Sequence, residues 1–163
     1  MTFEGIYVRS LGGTSFLIGL MTAFAATSEL PTMFFGQRIG IKLKGANAVI
    51  LAYGLSCCAY LGFVLLPNPN IMPVFSILKG LGFGLFFTNT VRLITSHAPA
   101  EWASTAQSLM TVGMFGLAPL IAGPLGGAIH DHISPAAIFG LGALALMLAA
   151  IVLGIGTARG KFR

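Results

Sequence analysis

The sequence predicts an all-α fold, a polytopic transmembrane helical bundle of five spans in a single domain over residues 1–163. Three observations carry this. Charged residues make up 8% of the chain, whereas a soluble domain carries about 25%. Hydrophobic residues make up 56%, and mean hydropathy is +0.91. The apolar residues fall in five continuous runs, about 14–35, 48–66, 71–94, 104–128 and 135–157. Each approaches the roughly 20 residues that a helix needs to cross a hydrocarbon core of about 30 Å. Continuous rather than alternating apolar character favours helices over barrel strands. A soluble cytosolic enzyme, a disordered tail and a nucleic-acid binder are excluded. The net charge of +5 is scattered between the runs and forms no basic patch.

The breaks between runs carry turn chemistry. Thr14–Phe35 is followed by a polar, basic stretch from Gln37 to Asn47. Ala48–Leu66 ends at Pro67-Asn68-Pro69-Asn70, a tight uncharged turn. Ile71–Ile94 leads to a connection with His97, Pro99, Glu101 and Trp102, an interfacial anchor. Ser104–Ala128 leads to Ile129–Ser134, whose His130, Asp131 and His132 read as a solvated loop. Ser134-Pro135 reads as a helix cap followed by proline in the first turn, opening Pro135–Thr157.

Cations set the orientation. Arg38, Lys42, Lys44, Arg92, Arg159, Lys161 and Arg163 fall on one side and Arg9 on the other, so the 37–47 stretch and the C-terminus are expected in the cytoplasm. Five spans then put the N-terminus outside. No secretory signal stands in the first twelve residues, which contain Glu4 and Arg9. An odd span count without a signal predicts that helices are missing upstream, with Phe3–Arg9 as the last turns of one of them. Cys57 and Cys58 are adjacent in an apolar run and read as reduced thiols packed as small hydrophobes.

Ionisable groups inside spans are costly, and away from the run ends the five runs hold two, Glu29 and Lys79. Counted from the run ends, their depths differ by about 9 Å, so they either pair or snorkel to opposite interfaces. Glu29 lies in Thr27-Ser28-Glu29-Leu30-Pro31-Thr32, where Pro31 removes the donor for the Thr27 carbonyl and the hydroxyls of Ser28 and Thr32 can serve the backbone. A kinked helix with a protonatable acid is a proton or solute station. Lys79 is followed at helical spacing by Phe83, Phe86 and Thr90, while Gly80 and Gly84 allow close approach of another helix. Asn89 in a span requires a hydrogen-bond partner. The fourth run holds Gly113, Gly116, Pro119, Gly123, Pro124, Gly126 and Gly127, with Gln107 and Thr111 on one face. It reads either as close packing with kinks or as a gate helix whose amide meets a solute. His130 and His132 have no further Cys or His nearby, so neither metal nor cofactor is expected. No histidine lies inside a run to activate a serine, so an intramembrane enzyme is not expected.

The order of these features resembles the C-terminal half of a major facilitator superfamily transporter. It resembles in particular the proton-symporter group of lactose, phenylpropionate and nucleoside permeases. The resemblance rests on Leu11-Gly12-Gly13-Thr14, Ser28-Glu29-Leu30-Pro31-Thr32-Met33-Phe34-Phe35, Leu78-Lys79-Gly80-Leu81-Gly82-Phe83-Gly84-Leu85-Phe86, the stretch Ala98 to Gln107, and Gly126-Gly127-Ala128-Ile129-His130-Asp131. It implies that the spans are helices eight to twelve of twelve, with the N-terminal half missing. It also implies that Glu29, Lys79, Phe83, Phe86, Asn89 and Gln107 belong to a solute and proton pathway. The implied partners are a small solute, protons, the lipid bilayer and the absent N-terminal bundle. The location is the plasma membrane. Two departures stand out. Lys42 occupies the place of the acid in the family's basic loop motif, and Gly82–Phe86 lacks the acid that the lactose permease group carries there. A five-span structural or assembly protein, or a truncated fragment, is the alternative.

Overall fold

The computed structural model describes residues 2–159, so Lys161 and Arg163, two of the cations used for orientation, lie outside the described residues. The order is α1 (Thr2–Ser10), α2 (Ser15–Lys42), α3 (Ala46–Leu65), α4 (Met72–His97), a 3-10 turn (Ala100–Trp102), α5 (Ala103–Val112), a π-helical turn (Gly113–Leu117), α6 (Ala118–His132) and α7 (Pro135–Ala158). Among the described residues no strand occurs. Five helical stretches among the described residues are long and apolar enough to cross a membrane: α2, α3, α4, the run Ala100–His132, and α7.

Local chemistry sets the ends. Thr14 caps α2, its hydroxyl accepting from the Leu17 N–H at 3.4 Å. Ser134 caps α7 in the same way, accepting from the Ala137 N–H at 3.2 Å, as the Ser-Pro pair predicts. Two segments read as loops are helical. Gln37–Lys42 continues α2, because nothing in Gln-Arg-Ile-Gly-Ile-Lys interrupts the hydrogen-bond ladder. At 28 residues α2 is about 42 Å long and outruns the hydrocarbon. The reversal is confined to Leu43–Gly45, where Lys44 (φ 58°) and Gly45 (φ 54°) take left-handed conformations. Likewise His130, Asp131 and His132 form the last turn of α6.

The core is a row of helices knitted through small residues. On α2 the buried positions are Met21, Ala25, Ser28, Thr32, Gly36 and Gly40, a single stripe at spacings of three and four. It faces α4, where a β-carbon on Gly80 would overlap Ser28 Oγ and the Ala25 carbonyl, and one on Gly84 would overlap Thr32 Oγ1. Close approach at Gly80 and Gly84 is thus realised, with α2 as the partner. On its other side α4 presents Gly82 to Ala52 and Ser56 of α3. α3 in turn packs on α7, with Tyr60 over Gly142. The end of the bundle that carries the turn between α3 and α4, called the outer end and the opposite one the inner, is closed by α1. Its Tyr7 hydroxyl donates to the Phe63 carbonyl at 3.0 Å, and its ring lies 5.2 Å from Phe139.

The run from α5 to α6 packs far less. Pro119 offers no N–H to the carbonyl four residues before it, and the Ala118 N–H bonds the Gly113 carbonyl five residues back. The result is the π-helical turn within a stretch that the sequence marks as rich in breakers. Of its residues only Gly126 is buried, beneath the Phe3 ring of α1.

Candidate functional site

Lys79 has a partner that the sequence reading did not name. Its ammonium contacts both carboxylate oxygens of Glu4, with Oε2 at 2.7 Å, and each side chain keeps only about a fifth of its surface exposed (21% and 18%). Seven residues separate Lys79 from the start of α4, and six separate Glu4 from the end of α1. Both therefore lie about 10 Å below the outer helix ends. The signal was present: if Phe3–Arg9 ends a span, Glu4 is a third intramembrane charge.

Glu29 is half-buried on α2 and makes no hydrogen bond or ion pair with the described residues; the charge that acts on its carboxylate is Lys79. The depth difference counted from the run ends is overstated. Ser28 Oγ donates to the Ile77 carbonyl at 3.0 Å and abuts Gly80, so Glu29 and Lys79 lie within about one turn of each other. The miscount arises because α2 starts farther out than α4. Around Pro31 the backbone is served locally. Thr32 Oγ1 donates to the Ser28 and Glu29 carbonyls at 3.2 and 2.9 Å, and α2 remains one continuous helix.

The aromatic residues after Lys79 divide between two neighbours. Phe83 stacks on Phe87, with centroids 6.1 Å apart. Phe86 packs on Tyr53 of α3 at 5.5 Å. Asn89 is fully buried and ties the helices together, its amide donating to Leu85 O at 2.9 Å within α4 and to Gly36 O at 3.3 Å on α2. A β-carbon on Gly40 would overlap its Oδ1, so glycine there makes room for the amide.

Gln107 belongs to a different place. Toward the inner ends of α2, α4 and α5 lies a cleft of about 390 Å³ lined by Gln37, Phe87, Thr88, Arg92, Thr95 and Gln107 among others. Arg92 makes no ion pair among the described residues, and its Nη1 is buried without a hydrogen-bond partner. The structure thus pairs Lys79 with Glu4 and leaves Glu29 unpaired, at a level on α2 within about one turn of Lys79. Asn89 and Gln107 lie inward of these charges, one in the helix interface and one on the cleft.

Residues 1–141 match the model of the MFS_1 like family. The chain belongs to that family. Among curated proteins it is similar to the uncharacterized transporter YwbF of Bacillus subtilis, 23% identical over 138 residues, which cover 85% of this chain and 35% of that protein. It is similar also to a maltose permease of Geobacillus stearothermophilus, 25% identical over 138 residues with the same coverage of 85% and 35%. The chain thus spans about a third of the length of these relatives. No solved structure matches it. The family match bears out the resemblance at the level of the superfamily, and both relatives are named as transporters.

Proposed function

We propose that this chain is the C-terminal helical bundle of a secondary active transporter that moves a small solute by alternating access, coupled to protons. The observation that carries the reading is Glu29, a half-buried carboxylate in the middle of a spanning helix with no hydrogen-bond partner among the described residues. A charge in such a place is costly, which marks the residue as a functional one, and an unpartnered acid is free to take up and release a proton. Lys79 neutralises Glu4, and Glu29 is the acid left without a counter-charge of its own. The solute passes along the α2–α4 wall, past Glu29 and Phe83, toward Gln107 at the inner end. Phe86 and Asn89 fix the spacing of that wall. In such transporters the binding site lies near the midplane between two bundles, which rock against each other. One bundle supplies one wall, so the function requires the N-terminal helices.

The orientation follows from charge. Arg38, Lys42, Lys44, Arg92 and Arg159 cluster at one end of the bundle, which we place in the cytoplasm of a plasma membrane. With Cys57 and Cys58 replaced by serine, Asn68→Cys reacts with an impermeant thiol reagent applied to intact cells and Lys44→Cys does not. The reverse pattern overturns this orientation.

Reconstitution tests the function. Liposomes holding the chain together with the N-terminal bundle accumulate solute under an imposed inward proton gradient; the probes are small organic anions and, because one relative is a maltose permease, maltose. Liposomes holding the 163-residue chain alone do not accumulate it. Saturable, gradient-driven accumulation by the chain alone overturns the reading.

A further inference from the structure

The inner cleft has an unusual donor set. Arg92 brings a guanidinium with paired N–H groups, and Gln37 and Gln107 bring amides from α2 and α5 on either side of α4. Thr88 adds a hydroxyl. The side chains of Gln37, Thr88, Gln107 and Arg92 donate no hydrogen bond to any described residue; Arg92 Nη1 is closed off against Gly40, which leaves Nε and Nη2 as the fork for an occupant. Among the described residues no carboxylate lines the cleft. Glu29 is eight residues farther out on α2, about 12 Å away along the helix, and Lys79 is held by Glu4. A guanidinium in a half-apolar wall without a counter-charge favours an occupant that brings one. Its planar fork matches a carboxylate or phosphate in two parallel hydrogen bonds.

We propose that this cleft is an oxyanion subsite, in which Arg92 with Gln37, Gln107 and Thr88 holds a carboxylate or phosphate group while Phe87 meets an apolar part of the same ligand. The proposal deepens the transport reading, on which it rests, by naming the class of solute. The same chemistry fits the headgroup of an anionic lipid, since Arg92 is five residues from the inner end of α4.

The test uses the full chain in phosphatidylcholine nanodiscs. Phenylglyoxal modifies arginine, and mass spectrometry follows Arg92 with Arg38, exposed over the Phe35 ring, as the internal reference. Inorganic phosphate or acetate slows modification of Arg92 and not of Arg38. Protection follows 1 + [L]/Kd, about threefold at twice Kd. Chloride at equal ionic strength and maltose give no such selectivity. Equal slowing at both arginines, no slowing, or equal protection by chloride or maltose overturns the proposal. Replacing both Gln37 and Gln107 with leucine weakens the protection while Arg92 stays in place; unchanged protection also overturns it. In nanodiscs containing phosphatidylglycerol, selective protection of Arg92 before any phosphate is added supports the oxyanion subsite and makes the headgroup its source. No gradient or uptake enters this readout, so its failure is separable from failure of the transport reading.

Discussion

The α2–α3–α4 row and the α5–α6 stretch are both apolar, glycine-rich and long enough to span a membrane, yet they pack very differently. A third of the most apolar window of α3 and of α4 is buried (33%), against 6% in Ala100–His132. Glycine count does not separate them. Gly80, Gly82 and Gly84 each bring α4 against another helix, whereas Gly113, Gly123 and Gly127 have nothing within 4 Å of where a β-carbon would stand. The difference lies in what faces the glycines. Along α2 they meet Ser28 and Thr32, whose hydroxyls return their protons to backbone carbonyls and leave a smooth surface. Along α5 and α6 the faces carry Leu109, Phe115, Leu120 and Ile121, all exposed. In lipid the hydrophobic effect does not drive helices together, so small residues matched to small polar ones decide which faces close.

Perturbing each region separately sharpens this contrast. The largest expected effect is at the ion pair of the packed row. Lys79→Ala leaves Glu4 without its partner and costs about 3 kcal/mol, the lower end of the range for breaking a buried pair. Exchanging the charges, Glu4→Lys with Lys79→Glu, recovers most of it. Unfolding in mixed micelles followed by circular dichroism measures both, and equal losses in the single and the exchanged variant would argue against the pair.

Next comes Gly80→Ala, whose added methyl meets Ser28 Oγ and the Ala25 carbonyl; it costs about 1–3 kcal/mol by the same measurement. Asn89→Ala removes the amide bond to Gly36 and costs about 1 kcal/mol, the scale of interhelical hydrogen bonds in membranes. The smallest effect belongs to the loose stretch. Gly123→Ala changes the stability of the chain by less than about 0.5 kcal/mol or raises it slightly, since open space surrounds the position. A loss as large as that of Gly80→Ala would mean that α6 is packed after all.

How much of this was legible in the sequence depended on whether the determinant was local. The five spanning stretches, the Ser134 cap and the close approach at Gly80 and Gly84 follow from hydropathy, capping chemistry and helical spacing, which act within a few residues. The helical state of Gln37–Lys42 was missed because apolar length measures the membrane and not the helix, which continues into water at little cost. The Glu4–Lys79 pair joins residues 75 apart, and Glu4 lies outside the five runs, in a segment read as the end of a further span whose charge was not counted with theirs. The Glu29–Lys79 register was misjudged because the outer ends of α2 and α4 are not level, a property of packing that run boundaries do not encode. Gln107 stood out as a polar group in an apolar run, but its neighbours on the cleft, Gln37 and Arg92, were read only as topological charge and loop.

The central functional claim is that Glu29 carries the coupled proton. Glu29→Gln fixes the neutral state while keeping the shape of the side chain. In the intact transporter, reconstituted in liposomes, this variant should exchange labelled solute across the membrane at a rate comparable with wild type. It should fail to accumulate solute against its gradient when a proton gradient is imposed. Uphill accumulation by Glu29→Gln at the wild-type level contradicts the account and removes Glu29 from the coupling pathway.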